Sequence, residues 1–468
     1  MKISFHGAAR TVTGSKHIIH LNNGKKVLLD CGMFQGMGPD TDAFNGDFGF
    51  DPASISIMVL SHAHIDHSGL IPKLIKDGFA GKIYATPPTI ALANILLEDS
   101  AGIQESDVKY SNRSRMQKGL PMLKPLYTKE EAKAAADYFE PVEYDQWVSI
   151  DKDIELCFKD AGHIIGSATV HLRITEEGEV RQISFSGDVG RYRDMILRSP
   201  AEFPQADYII LESTYGNKLH EDYISSVDTL LKHIVHTCLE KKGKLIIPAF
   251  SVGRTQEILF TLNQLELEDR LPPLDYFVDS PLSRNATRVV KSFPDCFNKR
   301  IQKILEKDKD PFQFERLKFV ETVEESKMLN YYDGPCVIIS ASGMAEAGRV
   351  KHHINNNIEN SRNTILFTGY CEPRSLGGRL KRGETEVGIF GQRREVHADI
   401  AEIASLSAHG DYDDLCQFLA CQSPDLVRRF FLVHGEYEVQ LDFRDRLMRK
   451  GYKHVEIPLR HSVHNLSD

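Results

Sequence analysis

The sequence predicts an α/β protein: a sandwich of β-sheets interrupted by a module whose sheet is mainly parallel. Two patterns carry that expectation. Up to about residue 206, short apolar runs follow one another closely between glycine and proline turns, which suits stacked sheets with few helices outside them. From about residue 207, strands alternate with amphipathic helices, the grammar of βαβ units.

In chain order, strands are expected at 26–30, 55–60, 82–85, 154–159, 168–174 and 182–186, each an apolar run bounded by turn residues. The stretch 112–124, rich in Arg, Lys and Gly, reads as an exposed connection. Val227, Leu230, Leu231, Ile234, Val235, Cys238 and Leu239 fall on one helical face, and Gly243 ends that helix. A strand 244–249, a helix 255–267, a strand 275–278, a helix 285–292 and strands 336–340 and 364–368 continue the alternation. The tail from about residue 395 returns to a helix 412–419, a strand 429–433 and a final helix and strand.

A length of 468 residues suggests two or three domains, and 41% hydrophobic with 26% charged residues is the composition of a soluble globular protein. The formal charge of −9 argues against a surface built throughout to attract nucleic acid, while a local basic groove stays compatible with it. No basic leader with a long apolar run opens the chain and no membrane-length apolar segment follows, so a cytoplasmic enzyme is expected. The cysteines at 31, 157, 238, 296, 336, 371, 416 and 421 form no C-x-x-C pair and read as reduced and mostly buried.

His62, His64, Asp66 and His67 stand in Ser-His-Ala-His-Ile-Asp-His-Ser-Gly, directly after the strand at 55–60. Imidazole nitrogen and carboxylate oxygen together suit zinc or a similar borderline ion better than calcium or magnesium. On an extended backbone His62, His64 and Asp66 project to one side, and a turn into a helix near Leu70 brings His67 round, so two ions could share the loop. The alternative is a histidine-rich surface loop, and the H-x-H-x-D-H spacing behind a strand speaks against it. Two ions need further ligands, sought where a strand gives way to a glycine-bearing loop: Asp160 to His163, Ser186 to Asp188, and Leu432 to Glu436.

With these segments the chain resembles the metallo-β-lactamase superfamily, and in particular its β-CASP branch of nucleic-acid-processing enzymes. Asp30 in Leu-Leu-Asp-Cys-Gly, the His62 to His67 run, His163 and Asp188 match the first four superfamily motifs in order. Glu212 in Leu-Glu-Ser-Thr-Tyr-Gly, His409 in Leu-Ser-Ala-His-Gly-Asp and His434 in Val-His-Gly-Glu match the three β-CASP motifs, so the series covers almost the whole chain.

The resemblance implies an αββα sandwich formed by residues 1–206 and 395–468, with an inserted β-CASP α/β domain at 207–394. It implies one ion on His62, His64 and His163, a second on Asp66, His67 and His434, and Asp188 bridging both, the ions being zinc or, alternatively, manganese. Asp30 would support a ligand by hydrogen bonding without binding metal itself. A C-terminal ligand that sits beside Asp66 and His67 brings the tail back onto the first domain, which makes the α/β module an insertion.

Two ions roughly 4 Å apart suit in-line displacement at phosphorus. The implied activity is hydrolysis of RNA phosphodiester bonds by a metal-bridging hydroxide, giving 5′-phosphate and 3′-hydroxyl ends, with Asp66, Glu212 and His409 as catalytic residues. His409 would be the general acid, oriented and charged by Glu212; without the resemblance, Glu212 reads equally as a solvated loop carboxylate. His434 favours RNA, because RNA-processing members of the family carry histidine at the third motif where DNA-repair members typically carry valine.

Ser342, Gly343 and Met344 resemble the family's cleft-facing loop, where small residues and backbone N–H groups approach a phosphate. Arg379, within Gly377 to Arg382, and Arg113, Arg115 and Lys118 would add a basic lining, although a solvated basic face is the commoner reading of any one such cluster. His17, His20, His352, His353, His461 and His464 lack partner motifs and are expected to pack or face solvent. With no added RNA-binding domain evident, delivery of single-stranded RNA is expected to rest on a homodimer or a partner. The rivals are a DNA nuclease of the same family, a small-molecule ester or lactone hydrolase, and a noncatalytic nucleic-acid-binding scaffold. Glu212 and His409 speak against the second, and a full set of ligands against the third.

Overall fold

The computed structural model describes residues 1–220, 223–403 and 407–466; Leu406, which opens the motif carrying His409, lies outside them. The chain forms two compact units, one from Met1–Gln35, Pro39–Leu219 and the chain from His409 on, the other from Gly36–Gly38 and His220–Ala408.

The first unit holds two seven-stranded mixed sheets. One runs in spatial order Val463–Asn465, Lys2–Gly7, Lys16–His20, Lys26–Leu29, Ile57–Val59, Lys82–Ala85 and Phe139–Pro141. The other runs Val455–Glu456, Arg429–Val433, Tyr208–Glu212, Glu179–Phe185, Ala168–Glu176, Ile154–Asp160 and Val148–Asp151. Strand alternation assigns the faces. Phe5, Ile19, Val27 and Leu29 from the first sheet share a core with Val170, Leu172, Ile183, Ile210 and Phe431 from the second. The intervening Ile209, Leu211, Phe430 and Leu432 point the other way and pack with Leu415 and Phe418 of helix Tyr412–Phe418 and Phe443 and Leu447 of helix Tyr437–Arg449. Leu28 and Met58 also face away from the inter-sheet core and are buried, so both outer faces are covered.

The second unit has a six-stranded sheet in the order Leu317–Phe319, Asp275–Val278, Cys336–Ser340, Lys244–Pro248, Thr364–Phe367 and Asp399–Glu402, with every pair parallel. Its central strands are continuous buried runs, Cys-Val-Ile-Ile-Ser throughout, because helices cover both faces of a parallel sheet. The expected domain limits shift accordingly. Tyr208–Glu212 pairs with Glu179–Phe185 and Arg429–Val433 and so belongs to the sandwich, while Asp399–Glu402 pairs with Thr364–Phe367 and belongs to the module.

Two local expectations are corrected. Residues 112–117 are helical, since one helix, Pro87–Gln117, runs into the first part of the expected connection, while 118–124 are not helical. Helix Tyr223–Ile234 passes into a π-helical turn, Val235–Glu240, whose wider winding leaves Cys238 buried but turns Leu239 out to solvent.

His171 lies on the outer face of the second sheet, between the hydroxyls of Thr169 at 2.8 Å and Ser184 at 2.9 Å, with its ring stacked on Phe203. Burial, with a smaller contribution from Lys159, lowers its pKa from 6.5 to about 3. Between those values the unfolded chain binds the proton and the folded one refuses it, so stability is lost as pH falls through this window, by up to about 1.4 kcal/mol per pH unit. Urea unfolding of His171→Gln is expected to show a shallower acid loss than the parent below about pH 6; parallel curves would contradict this.

Candidate metal centre

Asp30, His163, Asp188 and His434 leave their strand ends through backbone that only a constrained turn permits. Asp30 follows strand Lys26–Leu29 at φ 58° and His434 follows Arg429–Val433 at φ 49°, both in the left-handed region that non-glycine residues seldom occupy. His163 and Asp188 follow glycines held at φ 66° and 55°. A Cβ on Gly187 would come within 2.7 Å of Ser61 Cβ, so that loop can lie against the histidine run only as glycine.

The run itself departs from the expected extended path. His64 caps a helical turn, Ile65–Ser68, closed by Ser68 N–H donating to His64 O at 2.8 Å. Asp66 and His67 are thus already helical, and helix Ile71–Lys76 follows as a separate element. The turn is pinned from below: Ser15 N–H donates to Asp66 O at 2.8 Å and Cys31 N–H to His67 O at 2.7 Å.

All seven proposed ligands come together. His62, His64, His163 and Asp188 form one group and Asp66, His67 and His434 another, with the potential ligand atoms within 4.8 Å of one another in each. Asp188 faces both: its Oδ1 lies 3.2 Å from His67 Nε2 and 3.5 Å from His434 Nδ1, and its Oδ2 lies 3.5 Å from Nε2 of His62 and of His163.

Hydrogen bonds behind the rings select their tautomers. His67 Nδ1–H donates to Asp30 Oδ2 at 2.6 Å. Ser61 donates its hydroxyl to the same carboxylate at 2.8 Å, so it accepts from His62 Nδ1–H at 3.1 Å. Thr214 donates to the His434 carbonyl at 3.1 Å and accepts from His434 Nδ1–H at 3.0 Å. In all three rings Nε2 is turned inward. Nε2 of His62 and His67 and Oδ1 of Asp188 are buried without a hydrogen bond, a costly state that a bound cation relieves. With nitrogen and carboxylate donors only, the set fits a zinc-like ion.

The electrostatics agree. Burial, reinforced by neighbouring rings, holds His62 well below its ordinary pKa, and burial lowers His64, so both present neutral imidazoles. Burial alone would also lower His67, but the charges of Asp188 and Asp30 on its two sides outweigh it and raise its pKa well above 6.5. That point is built to hold positive charge, as a proton or as a metal ion. Burial would raise Asp188, and the surrounding His434, His67 and His62 keep it well below its ordinary value instead.

Beside this cluster His409 Nδ1–H donates to Glu212 Oε1 at 3.1 Å. Glu212 is fully buried and fixed by Val189 N–H at 2.8 Å and Thr214 N–H at 3.1 Å, so it is no solvated loop carboxylate. Burial disfavours the charged form of His409, yet Glu212 and Asp188 more than offset this and raise its pKa to about 9.

Sequence reasoning assigned no role to Ser61 or Thr214, although both lie within motifs it quoted. Their signal was a hydroxyl one or two residues from His62 and Glu212. Thr86 and Thr89, which donate to Gly166 O at 2.6 and 2.8 Å and steady the loop after His163, carried no such signal. In the second unit, Ser342, Gly343 and Met344 follow strand Cys336–Ser340, with Met344 buried. Arg379 is paired with Glu384 at 2.8 Å, which cancels much of its attraction for a phosphate. Buried His353 donates Nε2–H to Asp279 at 2.6 Å, and His352 stacks on Phe390.

A covered two-sheet sandwich that closes a histidine and aspartate cluster at its strand ends is the architecture of a metallo-hydrolase. Residues 17–234 match the metallo-beta-lactamase superfamily, 255–380 the Beta-Casp domain, and 393–458 the Zn-dependent metallo-hydrolase RNA specificity domain. A ribonuclease from Thermus thermophilus is 35% identical over 454 residues, covering 96% of this chain and 97% of the relative. An RNase J-like protein from Methanocaldococcus jannaschii is 28% identical over 98% of this chain and 99% of its own length. The transcription termination factor FttA of the same organism is 28% identical over 98% of this chain and 70% of its own. The chain belongs to the β-CASP family of the metallo-β-lactamase superfamily.

Proposed function

We propose that this protein is a two-metal ribonuclease that hydrolyses phosphodiester bonds of single-stranded RNA. The observation that carries the reading is the position of Asp188, with one carboxylate oxygen turned to each of two ligand groups. His62, His64 and His163 would hold one ion, Asp66, His67 and His434 the other, and Asp188 both; zinc fits the donor set best. Such a pair, when bound, supplies a Lewis acid for the phosphate oxygens and a nucleophile at neutral pH.

The chain's own residues do the rest. Asp30, Ser61 and Thr214 hold three imidazole rings in the tautomer that presents Nε2. With Nδ1 committed to Glu212, His409 uses Nε2 to protonate the leaving 3′ oxygen, and the Glu212 charge keeps that proton in place at neutral pH. RNA as substrate is supported by the relatives named as ribonucleases and by the match to an RNA specificity domain.

Purified protein is expected to contain two zinc-like ions per chain by elemental mass spectrometry. In competition it should cleave labelled single-stranded RNA in preference to DNA of the same sequence and to ester or lactone substrates. Preference for the ester would move the protein to the small-molecule hydrolases.

A further inference from the structure

We propose that the far end of helix Pro87–Gln117 with the segment returning from it is an RNA-docking arm, separate from the metal centre and binding the single strand at a distance. The proposal rests on the ribonuclease reading for the identity of its polyanion. In 31 residues this helix is far longer than its packing requires: its buried side chains end at Ala101. Its beginning is tied to the loop after His163 through Thr86 and Thr89, so at 1.5 Å per residue the segment from Lys109 on stands roughly 30 Å away along the axis.

The arm is built, not frayed. Asn112 exchanges two hydrogen bonds with the backbone of Leu123, at 2.8 and 3.0 Å, Arg115 Nε–H donates to Pro121 O at 2.6 Å, and Leu126 N–H donates to Gln104 at 3.2 Å. These bonds lay residues 119–126 back along the helix and fix the surface before any ligand arrives, which lowers the ordering cost of binding.

Its chemistry is that of a single-strand binder. Residues 108–124 contain Lys109, Arg113, Arg115, Lys118 and Lys124 and no acidic residue, in a chain of net charge −9. Among the described residues none of the five has a carboxylate ion-pair partner, unlike Arg379 and Lys381, which are paired with Glu384 and Glu402. Tyr110 and Met116 are 76% and 69% exposed, and Leu120, Met122 and Leu123 are exposed beside them. Lys109 and Arg113 share a face at i, i+4, with Tyr110 three residues before Arg113, so cations and an aromatic ring alternate on one surface. Cations that neutralise phosphates beside a ring on which a base stacks are the usual means of holding single strands without sequence preference. A second copy docking through the same surface would bring two such unpaired clusters together, so charge favours a polyanion over self-association.

The test uses the full chain and single-stranded RNAs of about six and about thirty nucleotides; at about 3.4 Å per nucleotide only the longer reaches both sites. Binding is read by fluorescence anisotropy across a salt series, with chelator present to keep the RNA intact, and KM and kcat by cleavage. With Lys109, Arg113, Lys118 and Lys124 all changed to Ala, binding and KM for the long RNA are expected to weaken about tenfold or more, and its salt slope to fall by about 3, at 0.7 per cation. Tyr110→Ala should weaken long-RNA binding about fivefold or more with the salt slope unchanged. Equal effects on both lengths, or none on the long RNA, would overturn the arm, as would binding to vesicles of anionic phospholipid that depends on these residues while RNA binding does not. Length-dependent binding that responds to the substitutions without any cleavage would instead leave the arm standing and remove the ribonuclease reading.

Discussion

Asp188→Ala is expected to lower RNA cleavage about a thousandfold or more and to strip metal from the protein. Among the described residues no other side chain faces both ligand groups, with Oδ1 at 3.2 Å from His67 and Oδ2 at 3.5 Å from His62 and His163. On the proposed two-metal reading, removing it would take away the shared anion that would offset the repulsion of two dications. A loss of several kcal/mol in transition-state stabilisation at 1.36 kcal/mol per tenfold gives the expected fall. Asp188→Asn keeps the shape and removes the charge, and should fall nearly as far. Elemental analysis and cleavage rate are measured together, with circular dichroism to confirm the fold. Full metal content with full turnover, in either variant or in His64→Ala, would overturn the ligand set.

His409→Ala should separate chemistry from metal binding: metal content stays, while turnover falls about a hundredfold or more, the range for a lost general acid. The ring's partner is Glu212 at 3.1 Å, and burial of that carboxylate leaves its charge little screened. Glu212→Gln keeps an oxygen to accept from Nδ1–H but removes the charge that holds His409 protonated up to about pH 9. Its alkaline loss of rate should therefore begin at lower pH than in the parent. Unchanged turnover in His409→Ala would remove the proposed proton donor, and an unchanged pH profile in Glu212→Gln would detach the carboxylate from it.

Much of this architecture could be read from residue order. The strands at 82–85, 275–278, 336–340 and 429–433 fall where expected because apolar runs of three or four residues, mostly β-favouring, lie between clear turn signals. The helical run through Arg113 and Arg115 was misread because basic, apolar-poor sequence resembles a loop, whereas the helix is continued from a buried first half. Leu239 was misplaced because a regular 3.6-residue period cannot anticipate a π turn. The domain limits moved because pairing decides membership of a sheet: Tyr208–Glu212 is flanked by Glu179–Phe185 and the distant Arg429–Val433, and Asp399–Glu402 pairs with Thr364–Phe367, which its own residues do not announce.

The metal-binding chemistry was present in the chain alone, in residue types that ligate and in spacings that put four of them within six positions. Donor type is a property of each side chain and survives any fold. Which nitrogen each ring presents, which carboxylate faces two groups, and which cations stand without acidic partners depend on neighbours tens to hundreds of residues away. Asp30 on His67, Thr214 on His434 and Glu212 on His409 are contacts across 37, 220 and 197 residues. Those contacts exist only once two sheets close on one core, and only tertiary structure could supply them.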